Sequence, residues 1–474
     1  MKNLQPAQID ALKKGVLGTV IVPGDAAYDS ARQVWNAMID RHPVAIVRCA
    51  GTADVAHAVN FARDQGWPLA IRGGGHNIAG SAVCDDGIAI DLSAMKAVQV
   101  DAAARRARVE GGATLADFDA AAQAHGLATP LGINSTTGVA GLTLGGGFGW
   151  LSRKYGMTID SLASANVVTA AGEVLHASAT EEPDLFWALR GGSGNFGVVT
   201  QFDFHLHPVG PQVLAGLIVF PFAEAKAVLR QYREFAAQAP DELSVWTVLR
   251  KAPPLPFLPQ SVHGQEVVVL ALLYAGDPVQ GESLVKPLHA FGTLLGAHVG
   301  AMPYVDWQKA FDPLLTPGAR NYWKSHNFSE LQDGLFDAVI DYIATLPSPQ
   351  CEIFFGALGG ATARPALDAA AYAHRDARFV MNVHGRWDDP ADDERCMRWA
   401  REFFKASAPF ASGGVYVNFL TDDEGDRVKS AYGKNYERLA QIKRRYDPGN
   451  LFSTNQNIVP ARSEPMLLRA MEAP

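Results

Sequence analysis

Apolar and polar positions divide the chain into stretches of different texture. From residue 1 to about 210, short apolar runs alternate with amphipathic segments. Pro6 to Lys14 reads as a polar helix, followed by a loop at 22–25 and then the segment Tyr28 to Asp40. Within Thr52 to Gln65, Val55, Ala58, Val59 and Ala62 recur at helical spacing, with Thr52 or Asp54 as the cap. Apolar runs at Pro43–Arg48, Pro68–Arg72, Gly87–Leu92, Ala107–Glu110, Ala163–Thr169, Glu173–Ala177 and Val198–Leu206 predict strands. Thr114–His125 and Pro183–Leu189 predict helices, and residues 129–160 read as a glycine-rich loop system. From 211 to about 410 the strands lengthen, at Gln212–Phe220, Leu243–Leu249, Glu266–Tyr274, Cys351–Gly356 and Phe379–Gly385. Helices at Phe222–Gln238, Pro278–Phe291 and Ala391–Ser407 lie between or after them. The pattern predicts an α+β unit followed by an α/β layer domain, a sheet with helices on one side.

Length and composition narrow this further. The chain has 474 residues, more than the ~250–300 at which one core stops growing, so two domains are expected. Hydrophobic residues at 48% and charged residues at 19% suit a globular protein and exclude global disorder. Lys+Arg number 41 against 49 Asp+Glu, a net charge of −8 with no basic block. Nucleic acid and anionic membrane surfaces are therefore not expected as partners. No run of 18 apolar residues exists, and the first ten residues lack a basic-then-apolar leader pattern. Cys49, Cys84, Cys351 and Cys396 are far apart and form no CxxC. Neither a zinc site nor a disulfide framework is suggested, and a reducing, cytoplasmic setting fits. His205 and His207 share a strand face without a third ligand nearby, so no metal is expected. Nothing in the sequence reports the oligomeric state.

Of the 45 glycines, 13 fall in three clusters: 73–75 before His76, 138–149, and 191–197. Consecutive glycines leave backbone N–H groups unshielded, so the main chain can wrap a phosphate or lie against a flat ring. Three such loops predict one large anionic ligand touched at several points. Gly192-x-Gly194-x-x-Gly197 has the spacing of a dinucleotide loop, but a helix precedes it and a strand follows. That order is the reverse of what the Rossmann loop needs. His76 reads either as a turn histidine bonded to the backbone or as an imidazole nucleophile presented to a cofactor.

Arg-Gly-Gly-Gly-His-Asn at 72–77, the 137–149 loop and Asn195-Phe196-Gly197-Val198-Val199-Thr200 resemble the FAD-linked oxidases of the vanillyl-alcohol oxidase / p-cresol methylhydroxylase superfamily. The segments 432–439, 446–452 and 455–457 are similar to the C-terminal signature of its berberine bridge enzyme-like, 6-hydroxy-D-nicotine oxidase-like branch. The resemblance implies a two-subdomain FAD-binding domain of the p-cresol methylhydroxylase type over 1–210, with its core at about 40–208. A substrate-binding domain with an antiparallel sheet follows over 211–412, and 413–474 returns to the first domain. It implies FAD linked covalently through His76. Asn134 stands where relatives carry a second, cysteinyl link, and no cysteine lies nearby, so a single link is expected. The cofactor residues it implies are Ile71, Arg72, Gly73, Gly74, Gly75, His76, Asn77, Gly80, Ser81, Gly132, Asn134, Thr136, Thr137, Gly138, Gly141, Leu144, Gly145, Gly146, Gly147, Gly149, Gly197, Val198, Val199, Tyr416, Asn418, Asn455 and Asn457. Thr137 falls beside the flavin, where side-chain bulk influences O₂ access.

The flavin would take a hydride at N5 from a small alcohol, amine or phenolic substrate, with O₂ as electron acceptor. A dehydrogenase using another acceptor, or a non-catalytic flavin-binding protein, remains open. Removal of the substrate's O–H or N–H proton calls for a base. Val415 to Phe419 reads as a strand that puts Tyr416 and Asn418 on one face, matching the family's Tyr-x-Asn element. Tyr, with an ordinary pKa near ~10, needs a positive neighbour, and Arg72 or Lys324 is the expected one. Tyr322, Trp323, Lys324 and Trp387 are expected at the substrate pocket. Lys443-Arg444-Arg445 reads as solvated helix surface, and the acidic run 388–394 as a helix-capping loop.

Overall fold

Asp54 sets the start of the helix Thr52–Gln65. Its carboxylate accepts the backbone N–H groups of Leu17 (2.8 Å), Gly18 (2.9 Å) and Ala50 (2.8 Å), which ties the preceding loop to the first turn. Gly66 ends the helix in the left-handed conformation, φ 68°. The helix's apolar stripe covers a sheet ordered Thr19–Ile21, Ala45–Arg48, Ile88–Asp91, Leu69–Arg72. The last three strands run parallel, and the first is antiparallel to its neighbour. Ile88–Asp91 is buried at every position, as a covered parallel strand requires. The structure, a computed structural model, describes residues 3–462.

A second sheet is antiparallel throughout, in the order Val98–Asp101, Arg106–Glu110, Val198–His205, Leu162–Val168, Val174–Ser178. Residues 415–458 return to this part of the molecule. Val415, Val417, Leu420, Leu439, Ile442 and Ile458 share a core with Leu144, Leu189 and Phe196. The third sheet has seven antiparallel strands: Gly296–Pro303, Gln212–Pro221, Glu266–Tyr274, Leu243–Lys251, Glu352–Ala357, Phe379–Trp387 and Arg320–Phe328. Helices Ala225–Gln238, Asp333–Ile343 and Asp393–Ser407 pack on one of its faces. The other face looks toward the first two sheets. The molecule is thus α+β, and its cleft lies between the glycine loops and that free face.

Several expectations need correction. Within the segment Tyr28–Asp40, Tyr28–Arg32 is helical. Gln33 is extended, which turns Trp35 inward to stack on His76. The strands Val98–Asp101, Gly296–Pro303 and Arg320–Phe328 were not legible, because none is an apolar run. Lys443 is not solvated. Its ammonium is fully buried, 3.1 Å from Asp447, and donates to Asn195 O (2.9 Å) and Phe452 O (2.8 Å). Its neighbours Arg444 and Arg445 on helix Tyr436–Tyr446 are exposed. No helix among the described residues is long and apolar enough to cross a membrane. The expected final segment's end, residues 463–474, lies outside the described residues.

Candidate active site

Strand Leu69–Arg72 delivers the chain into Gly73–Gly75 at the cleft. A Cβ on Gly74 would sit 2.3 Å from Gly138 N, and one on Gly138 2.3 Å from Gly74 N, so only glycine lets these two loops touch. His76 emerges from that junction. Its ring stacks on Trp35 at 5.1 Å and 22°, and Nε2 lies 2.8 Å from Thr136 Oγ1. Nδ1 stands 3.5 Å from Thr137 Oγ1, the limit of a hydrogen bond. Burial pushes the imidazole pKa down to about 3, so the ring is neutral at any working pH.

Tyr416 is fully enclosed at the other side of the glycine loops. Its phenol oxygen accepts from Gly147 N (3.0 Å) and Asn418 Nδ2 (3.0 Å), which leaves its own O–H to donate. Burial pushes its pKa up to about 12, against the lowering by those two donors. The expected strand is absent: Tyr416 is extended, and Val417–Phe419 is a 3-10 turn that folds Asn418 back onto the phenol. Nor does a cation face it. Arg72 donates to Ala31 O (2.6 Å), and Lys324 is held by Thr421, Asp423 and Glu424 on the far side of its strand.

The free face of the seven-stranded sheet forms the opposite wall. Register puts Glu352, His384 and Trp323 in one cross-strand row, and Phe354, Asn382 and Ser325 in the next. All but Ser325 line the cleft, with Trp246 and Phe419. Glu352 Oε1 meets His384 Nδ1 at 3.3 Å, and Oε2 accepts from Arg250 at 2.7 Å. Burial alone would raise the Glu352 pKa, but Arg250, His384 and Arg386 outweigh it and hold the carboxyl below its ordinary value. Burial likewise lowers the His384 pKa, against the raising effect of Glu352.

Of the residues singled out from sequence, Ile71, Gly73, Gly74, Gly75, His76, Asn77, Ser81, Gly132, Asn134, Thr137, Gly138, Gly141, Leu144, Gly197, Val198, Val199, Tyr416, Asn418, Asn455 and Trp323 line the cleft. Others do not. Gly145, Gly147 and Gly149 pack the loop against its neighbours, since a Cβ there would strike Asn418 (2.2 Å), Thr158 (2.2 Å) or Leu131 O (1.9 Å). Gly146 has φ 123°, and Gly80, with φ 75°, abuts Ile39. Arg72 stands behind the lining, Thr136 is exposed at its rim, and Asn457 opens on an adjoining recess. Tyr322, Lys324 and Trp387 are displaced outright. Strand alternation turns Tyr322 and Lys324 to the helix side, where Tyr322 donates to Asp423 (2.5 Å). Trp387 donates to Asp393 (2.7 Å) within the core. Sequence reasoning missed Trp35, Trp246, Glu352, Phe354, Asn382 and His384, for which no motif exists.

These residues fit FAD. Gly141 and Gly194 line the cleft, and a Cβ on either would meet open space. Ser193 Oγ, Asn455 Oδ1 and Asn457 Oδ1 are buried without a hydrogen-bond partner among the described residues. Ser193 and Asn455 line the cleft and Asn457 the adjoining recess, and they suit the polar half of a dinucleotide. The cysteines, all free and buried, lie outside the lining.

Comparison with known proteins agrees with this architecture. The FAD binding domain family matches residues 43–178, and the berberine and berberine-like family matches 415–459. An FAD-linked oxidoreductase of Dictyostelium discoideum is 31% identical over 455 residues, 95% of this chain and 96% of that one. The (R)-6-hydroxynicotine oxidase of Paenarthrobacter nicotinovorans is 31% identical over 467 residues, 94% of this chain and 98% of its own. Among solved structures, 6-hydroxy-D-nicotine oxidase from Arthrobacter nicotinovorans superposes with a TM-score of 0.83 at 28% identity, covering 94% of this chain and 98% of that one. The Physcomitrella patens BBE-like 1 fold reaches 0.86 at 24% identity, covering 96% and 100%. The chain belongs to the berberine bridge enzyme-like family of FAD-linked oxidoreductases.

Proposed function

We propose that the enzyme is an oxidase whose FAD is linked through His76 alone, and that it oxidises a small alcohol, amine or phenolic substrate with O₂ as electron acceptor. The observation that carries the covalent reading is the neutral His76 imidazole, offered to the cleft from a loop that only glycine can form. Asn134 in place of a cysteine supports the single link. A relative named an oxidase supports O₂. The division into a cofactor part (1–210 with 413–474) and a substrate part (211–412) follows from the same reading.

FAD held by the glycine loops would supply a hydride acceptor at N5. The protein orients the substrate. Trp246 and Phe354 give a flat apolar wall, their rings stacked at 5.7 Å and 11°. That wall holds a ring or chain flat within the ~3–3.5 Å reach that transfer needs. The Tyr416 O–H donates to the substrate oxygen or nitrogen. With its pKa at about 12 it is a poor base, so it positions the substrate. His384 lines the same cleft, but Glu352 Oε1 at Nδ1 (3.3 Å) and Asn321 Oδ1 at Nε2 (3.2 Å) occupy both ring nitrogens, so it braces Glu352 and the wall and does not take the proton.

Purified protein is expected to be yellow and to keep its colour through acid precipitation, whereas His76→Ala releases it. Acid-labile flavin in the unsubstituted enzyme overturns the covalent reading. Anaerobic bleaching by a panel of alcohols, amines and phenols identifies the substrate class. Slow reoxidation in air replaces O₂ by another acceptor.

A further inference from the structure

We infer that Asn134 and Thr136 form a hydrogen-bond relay that holds the proton of His76 on Nε2 and thereby selects Nδ1 as the nitrogen that bonds the cofactor. The inference rests on the covalent reading above.

The relay follows from donor and acceptor counting. Asn134 has its amide orientation set from two sides: Oδ1 accepts Thr136 N–H at 3.0 Å, and Nδ2 donates to Leu315 O at 3.3 Å. A flipped amide would oppose donor to donor and acceptor to acceptor. Oδ1 therefore also faces Thr136 Oγ1, at 2.7 Å, and an amide oxygen can only accept, so the Thr136 hydroxyl donates. Its proton is thus committed. The 2.8 Å contact between Thr136 Oγ1 and His76 Nε2 then requires the proton on Nε2. A neutral imidazole carries one N–H, so Nδ1 holds the lone pair.

A single acceptor anchors both sides of the ring. Leu315 O takes the Asn134 amide and also Trp35 Nε1 at 3.0 Å, and Trp35 is the residue stacked on His76. Next to Asn134, Ser135 is held by Asp312 through N–H to Oδ1 (2.9 Å) and Oγ to Oδ2 (2.5 Å). Asn134 and Ser135 are buried, while Thr136 is exposed at the rim, so its side chain can be exchanged without opening the core.

In the linking step a bond forms between Nδ1 and the 8α-methyl carbon of the flavin, and one C–H bond of that methyl breaks. Its proton leaves to solvent, and the electron pair stays on the ring system until dioxygen takes it. The charge gained by the imidazole is shared through Nε2–H with Thr136 and Asn134.

The test compares Thr136→Val, Thr136→Ser and Asn134→Ala, each produced under riboflavin starvation and then mixed with FAD. The rate at which flavin becomes acid-stable is measured against total bound flavin. Thr136→Val is expected to link about tenfold more slowly at unchanged FAD binding. Thr136→Ser restores the rate, and peptide analysis of the slow variant shows a share of linkage at Nε2. Linkage by Thr136→Val at the unsubstituted rate and only through Nδ1 overturns the relay, while acid-stable flavin lost by His76→Ala leaves the covalent reading standing. Should Thr136→Val bind no FAD, Asn134→Ala decides. It frees the Thr136 hydroxyl to donate to Nε2, so slowed linkage supports the relay and an unchanged rate overturns it.

Discussion

Asn418 donates its side-chain amide to the Tyr416 phenol oxygen across 3.0 Å from a 3-10 turn, not from the same face of a strand. With Gly147 N–H on the same oxygen, the phenol proton is the one part of that group left to meet a substrate. Tyr416→Phe is expected to slow flavin bleaching by roughly 10²-fold while acid-stable flavin content is unchanged. Because the phenol does not ionise below about 12, the variant and the parent should share the same pH profile between pH 6 and 9. Anaerobic stopped-flow traces measure both; a profile that changes shape removes Tyr416 from a purely orienting role.

Glu352 raises the His384 pKa while burial lowers it more. Removing the carboxylate in Glu352→Gln takes away the raising effect, so the titration of the His384 ring should move to lower pH. NMR of the imidazole signals reads the shift. A titration that stays in place shows that the carboxylate does not act on the ring.

Asp119 sits buried on helix Leu115–Gln123, with Oδ2 bonded to Gln308 (3.0 Å) and Oδ1 unpartnered among the described residues. Burial pushes its pKa up to about 7. A folded-state value above the unfolded one favours folding below pH ~4, and that stability is lost as pH climbs toward 7. Asp119→Asn should therefore raise the melting temperature at pH 8, by the equivalent of a few kcal/mol at most, and leave it unchanged at pH 4. Scanning calorimetry at the two pH values checks the sign.

Lys443 and Asp447 form an ion pair without solvent contact, and the ammonium also bridges Asn195 O and Phe452 O. Lys443→Ala strands a buried carboxylate and should cost about 3–5 kcal/mol. Urea unfolding would show it as a lower midpoint with the slope unchanged.

What could be read from the sequence follows the physics of each feature. Glycine runs at 73–75 and 138–149 mark close backbone approach wherever they fall, so the cofactor side of the cleft was visible in advance. So was the helix at Thr52–Gln65, whose stripe and cap are local. The far wall was not. Glu352, Phe354, Asn382, His384 and Trp323 come from three strands, and only the register makes them neighbours. Tyr322 and Lys324 were placed at the pocket because they flank Trp323, yet period-2 alternation sends them to the opposite side. Lys443 was misjudged because its charge suggested solvent, and its counter-ion lies on the next helical turn, past the reach of composition.

The turn at 312–315 grips the 134–136 loop and Trp35 at once, although it is built into the part of the chain that carries the far wall of the cleft. The two halves are therefore not interchangeable modules. A chimaera that grafts a relative's wall onto this chain must bring a matching turn and matching loop together, or the anchor for the flavin is released along with the old specificity.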